Sequence, residues 1–387
     1  MPVKNTIADH HSELTEWRQH LHQNPELLFD LPKTSGFVAE KLRGFGLDEV
    51  VTGVAQSGVV GVIHGRSNTS GRVVGLRADM DALPILEETG AEHASQTPGQ
   101  MHACGHDGHT VMLLGAARYL AETRNFDGTV VLIFQPAEEG GGGGRVMVEE
   151  GMIERFGIQE VYGMHNVPGR DVGTFAIRPG KFYAAADQFS ITVQGRGGHA
   201  AQPHQTVDST LIASHIVIAL QAIASRETDP LKQVVVSVTS FETATKTHNI
   251  IADRVTLQGT VRTLDEAVRD DTEKRLAEIT DGIAQTFGAT TQIAYERGYP
   301  VLENTDAETS FASEVAKSVA GDCDEAAIYM WGEDFGYLLN ATKGAYIHLG
   351  IGDNYPLHHA KYDFNDDAIP FGASWFAELV ESRMPAA

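Results

Sequence analysis

Short runs of β-branched and other apolar residues alternate with helical stretches along this chain, and that alternation limits the folds open to it. It is typical of α/β proteins, in which helices cover a largely parallel central sheet. Predicted strands span residues 59–64, 72–78, 129–135, 160–166 and 345–349, and predicted helices span 12–23, 106–123, 334–340 and 368–382. Because such sheets bind ligands at the carboxyl ends of their strands, we expect the functional residues there.

A different order of elements interrupts this pattern between residues 187 and 297. The segment reads strand, helix, strand, strand, helix, strand, at residues 188–195, 207–226, 234–241, 254–262, 265–287 and 291–295. A run of this kind is the βαββαβ, or ferredoxin-like, unit, which closes a small sheet with two helices on one face. We therefore predict a domain inserted at residues 187–297 into a larger α/β domain formed by residues 1–186 and 298–387, which we call the catalytic domain on the evidence of the motifs described below.

Composition excludes several classes of protein. The 387 residues, 42% of them hydrophobic, are enough to bury the cores of two domains. Acidic side chains number 52 against 29 basic ones, and the net charge of -23 would repel nucleic acid and anionic membranes. The opening residues have no apolar core of signal-peptide length, and no run approaches the ~20 apolar residues of a membrane span. We expect a cytoplasmic enzyme with neither a nucleic-acid nor a membrane partner.

One thiol and three imidazoles lie close together in residues 101–109, which read MHACGHDGH. Cys104 and His106 are two residues apart on a glycine-containing turn, so their side chains can converge. Thiolate and imidazole ligands favour borderline ions such as zinc, manganese, cobalt or nickel. The predicted helix that follows would lower the pKa of the Cys104 thiol and so favour the metal-binding thiolate. The segment predicts half of a metal site.

Two adjacent glutamates, Glu138 and Glu139, follow the predicted strand at residues 129–135. Neighbouring side chains at a strand end point in different directions, so one carboxylate can hold a metal while the other moves protons. The alternative is a solvated acidic pair that opens the glycine-rich loop at residues 140–144. Together with the cysteine and the histidines, the pair predicts a metallohydrolase.

Six motifs, in this order along the chain, resemble those of the aminoacylase/carboxypeptidase family of binuclear metallohydrolases. They are WRQHLHQNPEL at 17–27, GLRADMDALP at 75–84, HACGHDGH at 102–109, QPAEE at 135–139, GHAAQP at 198–203 and HHAKYDF at 358–364. The branch that the chain most resembles contains hippurate hydrolases, N-acyl-amino-acid amidohydrolases and auxin-conjugate hydrolases. The resemblance implies a metal-bearing α/β domain with an inserted lid that pairs two subunits, so we expect a homodimer, with a tetramer as the alternative.

The resemblance also implies two divalent metal ions, Mn²⁺ or Zn²⁺, with Co²⁺ or Ni²⁺ able to substitute. The implied ligands are Cys104, His106, Glu139, His165 and His358. For His165, which ends an apolar strand, a buried and hydrogen-bonded histidine is the alternative. The residues alone do not distinguish His358 from His359, and the family pattern selects the first. His102 and His109 are expected to support the site rather than to bind metal.

Further roles follow from the same resemblance. Glu138 would accept a proton from the attacking water and return it to the leaving amine. Asp79 would orient a ligand imidazole through a hydrogen bond. In the lid, His199 would stabilise the tetrahedral oxyanion, and Asn249 and Arg262 would line the closed site, with the guanidinium gripping a substrate carboxylate. A turn histidine and a solvated strand-end arginine are the alternatives for His199 and Arg262.

The expected activity is hydrolysis of N-acyl-L-amino acids, hippurate-like or N-acetyl, to a carboxylic acid and a free amino acid. A deacetylase acting on N-acetyl-diaminopimelate, or a dipeptidase, is the alternative within the same family. A catalytically silent amino-acid binder is the alternative outside enzymes. The presence of Glu138 together with every implied ligand argues against the binder.

Overall fold

The computed structural model describes residues 3–386, which fall into two compact units. Unit 1 comprises the described residues up to Phe182, Glu303–Ala327 and those from Asp334 onward, and unit 2 comprises Tyr183–Leu302 and Ile328–Glu333. The strands are β1 Glu49–Val54, β2 Gly58–His64, β3 Val73–Asp79, β4 Thr129–Gln135, β5 Glu160–Val167, β6 Phe175–Ile177, β7 Gly180–Tyr183, β8 Ala185–Gln194, β9 Gly198–His199, β10 Val234–Thr243, β11 Ile250–Ile251, β12 Arg254–Thr263, β13 Thr290–Tyr299, β14 Leu302–Asn304, β15 Asp324–Glu325 and β16 Lys343–Gly350.

The α-helices are α1 Asn5–Asp9, α2 His11–Gln23, α3 Pro32–Gly44, α4 His106–Thr123, α5 Gly143–Glu149, α6 Met152–Phe156, α7 Ser209–Ala222, α8 Glu266–Thr286, α9 Asp306–Ala320, α10 Phe335–Ala341 and α11 Ile369–Arg383. Short 3-10 turns lie at Pro203–Gln205 and Asp366–Ala368, and α7 continues as a π-helical turn over Ile223–Glu227.

Unit 1 is an α/β domain built on an eight-stranded mixed sheet in the order β1-β2-β4-β3-β5-β16-β6-β15. The central strands β4, β3, β5 and β16 run parallel, and antiparallel pairings join β1 to β2, β2 to β4 and β6 to β16. Every residue of β4 and β5 is buried, as expected for strands that helices cover on both faces. The expected parallel α/β sheet therefore forms the centre, with mixed edges.

Helix α4 lies in the core of unit 1, where it packs against α11 and α2. Its N-cap is Gly105 with φ of 91°, a left-handed conformation that favours glycine. A Cβ at this position would lie 2.4 Å from Asn166 Oδ1 and 2.5 Å from the Tyr362 hydroxyl oxygen. Glycine therefore lets the turn before α4 approach β5 closely.

Unit 2 contains an antiparallel four-stranded sheet in the order β10-β12-β8-β13, with α7 and α8 packed against it. The chain order β8-α7-β10-β12-α8-β13 is the split βαβ arrangement. Residues 328–333, which sequence analysis assigned to the catalytic domain, belong to this unit, where Tyr183 stacks on Tyr329 at a ring distance of 5.8 Å. The function of unit 2 as a lid stays a prediction.

One helical segment of the described chain, Ser209–Glu227, is long and apolar enough by length and composition to cross a membrane. This differs from the expectation, drawn from the sequence, that no run approaches the length of a membrane span. Its inner face packs on the sheet of unit 2 through Ile212, Ile216 and Leu220. Ile218 on its outer side is 70% exposed. This arrangement is that of a sheet-packed helix with a second apolar side left uncovered.

Candidate metal centre

Three neighbouring strands end at one edge of the unit 1 sheet. β3 ends at Asp79, β4 ends at Gln135, and β5 carries His165 close to its carboxyl end. Because β3 pairs in parallel with both β4 and β5, these ends lie side by side. The turn before α4 reaches the same edge, since Cys104 Sγ lies 3.4 Å from His165 Nε2. Residues far apart in the sequence therefore surround one point at the end of the sheet.

The first group of potential ligands is Cys104, His106 and His165, all of them buried. Each residue offers one ligand atom, and these atoms lie within 4.8 Å of one another. Neither ring nitrogen of His106 has a hydrogen-bond partner within residues 3–386, although the ring is fully buried. The nearest carboxylate oxygens, of Asp81 and Asp79, lie 3.5 and 3.7 Å from these nitrogens. A buried imidazole that makes no direct hydrogen bond is costly, and a metal ion would satisfy it.

The second group is Cys104, Glu139 and His358, whose ligand atoms also lie within 4.8 Å of one another. His358 Nε2 is 3.1 Å from Glu139 Oε1. His358 has a left-handed backbone with φ of 63°, and its side chain is 53% exposed. His359 does not join the group, because it stacks on Tyr355 and its Nδ1 accepts the Lys361 N–H. Cys104 is thus common to two donor sets, an arrangement suited to two neighbouring cations.

Glu138 lies beside these groups and is 6% exposed. One of its carboxylate oxygens lies within 4.8 Å of ligand atoms of His106 and Glu139. The backbone N–H of Glu138 donates to Asp81 Oδ1 at 2.9 Å, and that of Glu139 donates to Asp81 Oδ2 at 3.0 Å. Asp81 Oδ1 is also 3.5 Å from His106 Nδ1. The sequence pattern assigned no role to Asp81, although it lies only two residues after Asp79, the last residue of β3.

Asp79 takes part in a buried hydrogen-bond chain beneath the donors. Its Oδ1 accepts from His109 Nδ1 at 2.6 Å, and His109 Nε2 accepts the N–H of Asn166 at 3.0 Å. The Asn166 amide directly follows His165, so His109 holds the end of β5. Asp79 Oδ2 pairs with Arg77 at 2.7 Å and lies 3.7 Å from His106 Nε2. The expected hydrogen bond of Asp79 is therefore made to His109 rather than to a predicted ligand.

The charges around the donors favour a cation. Burial lowers the pKa of His106, but Asp79, Asp81 and Glu139 outweigh this effect and raise it to about 10. Burial together with the charges of Glu139 and Glu138 raises the pKa of the Cys104 thiol well above its usual value. The expected lowering by the start of α4 is therefore wrong for the metal-free protein, because desolvation and carboxylates exceed the helix effect. Sulfur, nitrogen and oxygen donors in an acidic pocket fit divalent metal ions.

His199 and Asn249 lie next to each other in unit 2. His199 in β9 pairs with Ile250 in β11, directly after Asn249, whose carbonyl accepts the Ala200 N–H at 3.0 Å. The Ala201 N–H donates to His199 Nδ1 at 3.1 Å. A neutral His199 ring must then carry its proton on Nε2, which can act as a donor at this exposed end of β9.

Arg262 lies on β12 of unit 2 and is half-buried. Its guanidinium donates to the Val261 carbonyl at 3.0 Å and to the Thr260 hydroxyl. Burial lowers the pKa of Arg262, and the charge of Asp187 opposes this only in part. Both of these hydrogen bonds are made to neutral groups, so the cation is suited to an anionic ligand.

The model of peptidase family M20/M25/M40 matches residues 75–382. A hippurate hydrolase of Campylobacter jejuni is 42% identical over 376 residues, which cover 96% of this chain and 97% of that protein. An N-acetyldiaminopimelate deacetylase of Enterococcus faecalis is 36% identical over 372 residues, with 96% and 97% covered.

Among solved structures, the YxeP protein of Bacillus subtilis, described as a dinuclear metal-binding peptidase of the M20 family, superposes with a TM-score of 0.85. It is 31% identical, and the superposition covers 97% of this chain and 99% of that one. The fold and the sequence thus lead to the same group of hydrolases. The chain belongs to peptidase family M20/M25/M40, as a metal-dependent hydrolase of that family.

Proposed function

We propose that this protein is a binuclear metal-dependent amidohydrolase that cleaves N-acyl-L-amino acids into a carboxylic acid and a free amino acid. The observation that carries the proposal is the convergence of two donor groups on Cys104 with Glu138 beside them. The similarity to a hippurate hydrolase over nearly the full length of both chains supports the substrate class. Hippurate and N-acetyl amino acids are therefore the first substrates to test.

We assign five side chains to two divalent metal ions, Mn²⁺ or Zn²⁺, with Co²⁺ or Ni²⁺ able to substitute. The ligands are Cys104, His106, Glu139, His165 and His358. Bound metal would supply Lewis acidity for the amide carbonyl and for the attacking water. The His106 ring, which makes no direct hydrogen bond within residues 3–386, and the carboxylates around it support this assignment.

Glu138 acts as the general base and acid in this proposal. Its carboxylate accepts a proton from water as the water oxygen forms a bond to the amide carbon. It then returns that proton to the nitrogen as the carbon–nitrogen bond breaks, so that the amino acid leaves as an amine. The hydrogen bond from the Glu138 backbone N–H to Asp81 fixes the backbone position from which the Glu138 side chain extends.

Unit 2 supplies the groups that bind and polarise the substrate. His199, with its proton on Nε2, donates to the oxygen that becomes negative during attack. Arg262 binds the free carboxylate of the N-acyl amino acid, and Asn249, next to His199 across β9 and β11, supplies a further polar contact. We accordingly propose a lid function for unit 2, as the family resemblance implies.

We also propose that the protein is a cytoplasmic homodimer. β10 is an edge strand of the unit 2 sheet, and Val235 and Phe241 on it are exposed. The neighbouring α7 exposes Leu211 and Ile218. An open strand edge beside an apolar helix face is suited to pairing with the same surface of a second copy around a two-fold axis.

N-acetyl-diaminopimelate deacetylation is the second candidate, supported by the similarity to the Enterococcus faecalis deacetylase, and dipeptide cleavage is the third. The decisive experiment measures the metal content of purified protein, removes the metal with a chelator and restores it ion by ion. Hydrolysis of hippurate, N-acetyl amino acids, N-acetyl-diaminopimelate and unacylated dipeptides is followed at each step. Full activity in the metal-free protein would overturn the proposal, whereas the order of the substrates decides between the candidates.

A further inference from the structure

The motif at residues 17–27 has no role in the chemistry proposed above, yet it places two ionisable side chains in the core. Arg18 and His22 are four residues apart on α2 and therefore share one face of the helix. They are 1% and 0% exposed, respectively. Burying a charged arginine costs free energy unless carboxylates pair with it. The partners of Arg18 therefore indicate which segments it joins.

The carboxylate partners of Arg18 come from two separate segments of unit 1, and its Nη2 also lies 3.3 Å from His93 Nε2. Its Nε and Nη2 donate to the two carboxylate oxygens of Asp366 at 2.7 and 2.9 Å, and Nη1 donates to Asp363 at 3.2 Å. The same Nη1 lies 3.6 Å from Asp107 Oδ2. That Asp107 oxygen also receives a hydrogen bond from His22 Nδ1 at 2.8 Å. Arg18 thus connects the start of α4 to the segment before α11.

Both segments carry proposed metal ligands. Asp107 directly follows His106 in the first turn of α4. Asp363 and Asp366 lie in the segment that follows His358, where neither a helix nor a strand supports the chain from Ile351 to Phe364. That segment is further tied to the Cys104 turn because the His358 N–H donates to the Ala103 carbonyl at 2.8 Å.

We propose that Arg18 is a positioning residue that holds the His358 segment against the start of α4, so that the donor group of Cys104, Glu139 and His358 can form. The inference rests on the metal ligands assigned in the proposed function. Only a planar guanidinium with five N–H donors can grip Asp366 through two bonds and reach Asp363 and Asp107 as well, and a lysine cannot. Loss of this grip loosens the segment that carries the exposed His358, while the buried group of Cys104, His106 and His165 keeps its own supports.

The test compares Arg18→Lys and Asp366→Asn with the wild type in Zn²⁺ titrations of the metal-free protein. We expect one of two sites to weaken by ~10- to 100-fold, the usual effect of losing a group that orients a ligand, and the other site to stay unchanged. His358→Ala identifies the site that should weaken. Asp366→Asn weakens the contact between Arg18 and Asp366 without changing the buried arginine. It keeps the test decisive if Arg18→Lys folds poorly.

Arg118→Gln is the matched control, because Arg118 on α4 pairs with Glu13 on α2 at 2.6 Å and so joins the same two helices at another point. It should bind both ions like the wild type. Wild-type protein that binds fewer than two ions would contradict the proposed function itself. Two unchanged sites in both Arg18→Lys and Asp366→Asn, or equal weakening of both sites together with a lower melting temperature of the metal-free protein, would overturn the role of Arg18 alone.

Discussion

Asp81 binds Glu138 through the backbone, its Oδ1 accepting the Glu138 N–H at 2.9 Å while its Oδ2 accepts the Glu139 N–H at 3.0 Å. One fully buried carboxylate thereby fixes the start of both glutamate side chains. Burial raises the pKa of Asp81, and its contacts with His106 and the Glu139 amide oppose that rise. The proposed base and the proposed ligand are therefore oriented together rather than independently.

Asp81→Asn should lower turnover by ~10- to 100-fold. The asparagine side chain has a single acceptor oxygen, so its NH₂ group must face one of the two backbone N–H groups. Steady-state hydrolysis and metal content would be measured for the wild type and for each variant. Asp127→Asn is the control, since Asp127 also accepts two backbone N–H bonds, from Thr69 and Ser70, in a loop that holds none of the proposed ligands. Equal activity in the two variants would remove the role of Asp81.

Glu138→Gln should retain the metal content of the wild type and lose ~10²- to 10⁴-fold in turnover, the range for a general acid or base. Glutamine preserves the size of the side chain but cannot accept the proton. Metal analysis alongside the hydrolysis assay distinguishes this variant from Glu139→Gln, which should lose metal. Turnover at the wild-type rate in Glu138→Gln would mean that another group is the base.

The local sequence pattern was sufficient to predict the helix and strand that position several of the proposed metal ligands. The predicted helix at 106–123 and strand at 129–135 coincide with α4 and β4, because α4 carries a long run of small and apolar residues and β4 is almost entirely apolar. The order of elements in unit 2 was likewise readable from periodicity. Helix α9 was missed even though Ala312, Val315 and Val319 form a buried stripe at helical spacing.

The remaining features depend on contacts between distant segments. No spacing in the sequence indicates that Asp81 accepts two amides more than fifty residues away, with separations of 57 and 58. His358, but not His359, lies in the donor group, and the backbone at His358 is left-handed, which no pattern in the sequence indicates. The partner of Asp79 is His109 because α4 presents that ring to the end of β3. Such relationships arise only when the strands are placed side by side.

His22 should make stability depend on pH. Burial lowers the pKa of His22, but hydrogen bonds to Asp107 and Glu87 outweigh this and raise it from 6.5 to about 9. The folded protein thus keeps a proton that the unfolded chain loses. This contribution to stability is fully present below the pKa of His22 in the unfolded chain, and it is lost as the pH rises through the pKa of His22 in the folded protein. Between these two pKa values the free energy of unfolding should fall by ~1.4 kcal/mol per pH unit.

The measurement is the free energy of unfolding in urea, with chelator present, across that pH range. The wild type should lose stability more steeply than His22→Gln as the pH rises. His20→Gln changes an exposed histidine of the same helix and should follow the wild type. Parallel curves for the wild type and His22→Gln would show that the histidine does not titrate as stated.

Arg262→Ala should raise KM for N-acyl amino acids by roughly 10- to 100-fold, because a charged hydrogen bond to the substrate carboxylate is lost. The matching N-acyl amine has no carboxylate, so its KM should change little. Arg254→Ala removes an exposed arginine from the same strand and serves as the control. A similar rise for both substrates would exclude the carboxylate contact.

Ile218→Glu should convert the proposed dimer into a monomer. The Ile218 side chain is 70% exposed on α7, beside the open edge of β10, and a carboxylate there would have to be desolvated against its own copy. Light scattering after gel filtration gives the mass directly. Leu86→Glu introduces the same charge at an apolar position of unit 1 that is 64% exposed and should leave the mass unchanged. If Ile218→Glu keeps the mass of a dimer, the subunits pair through another surface.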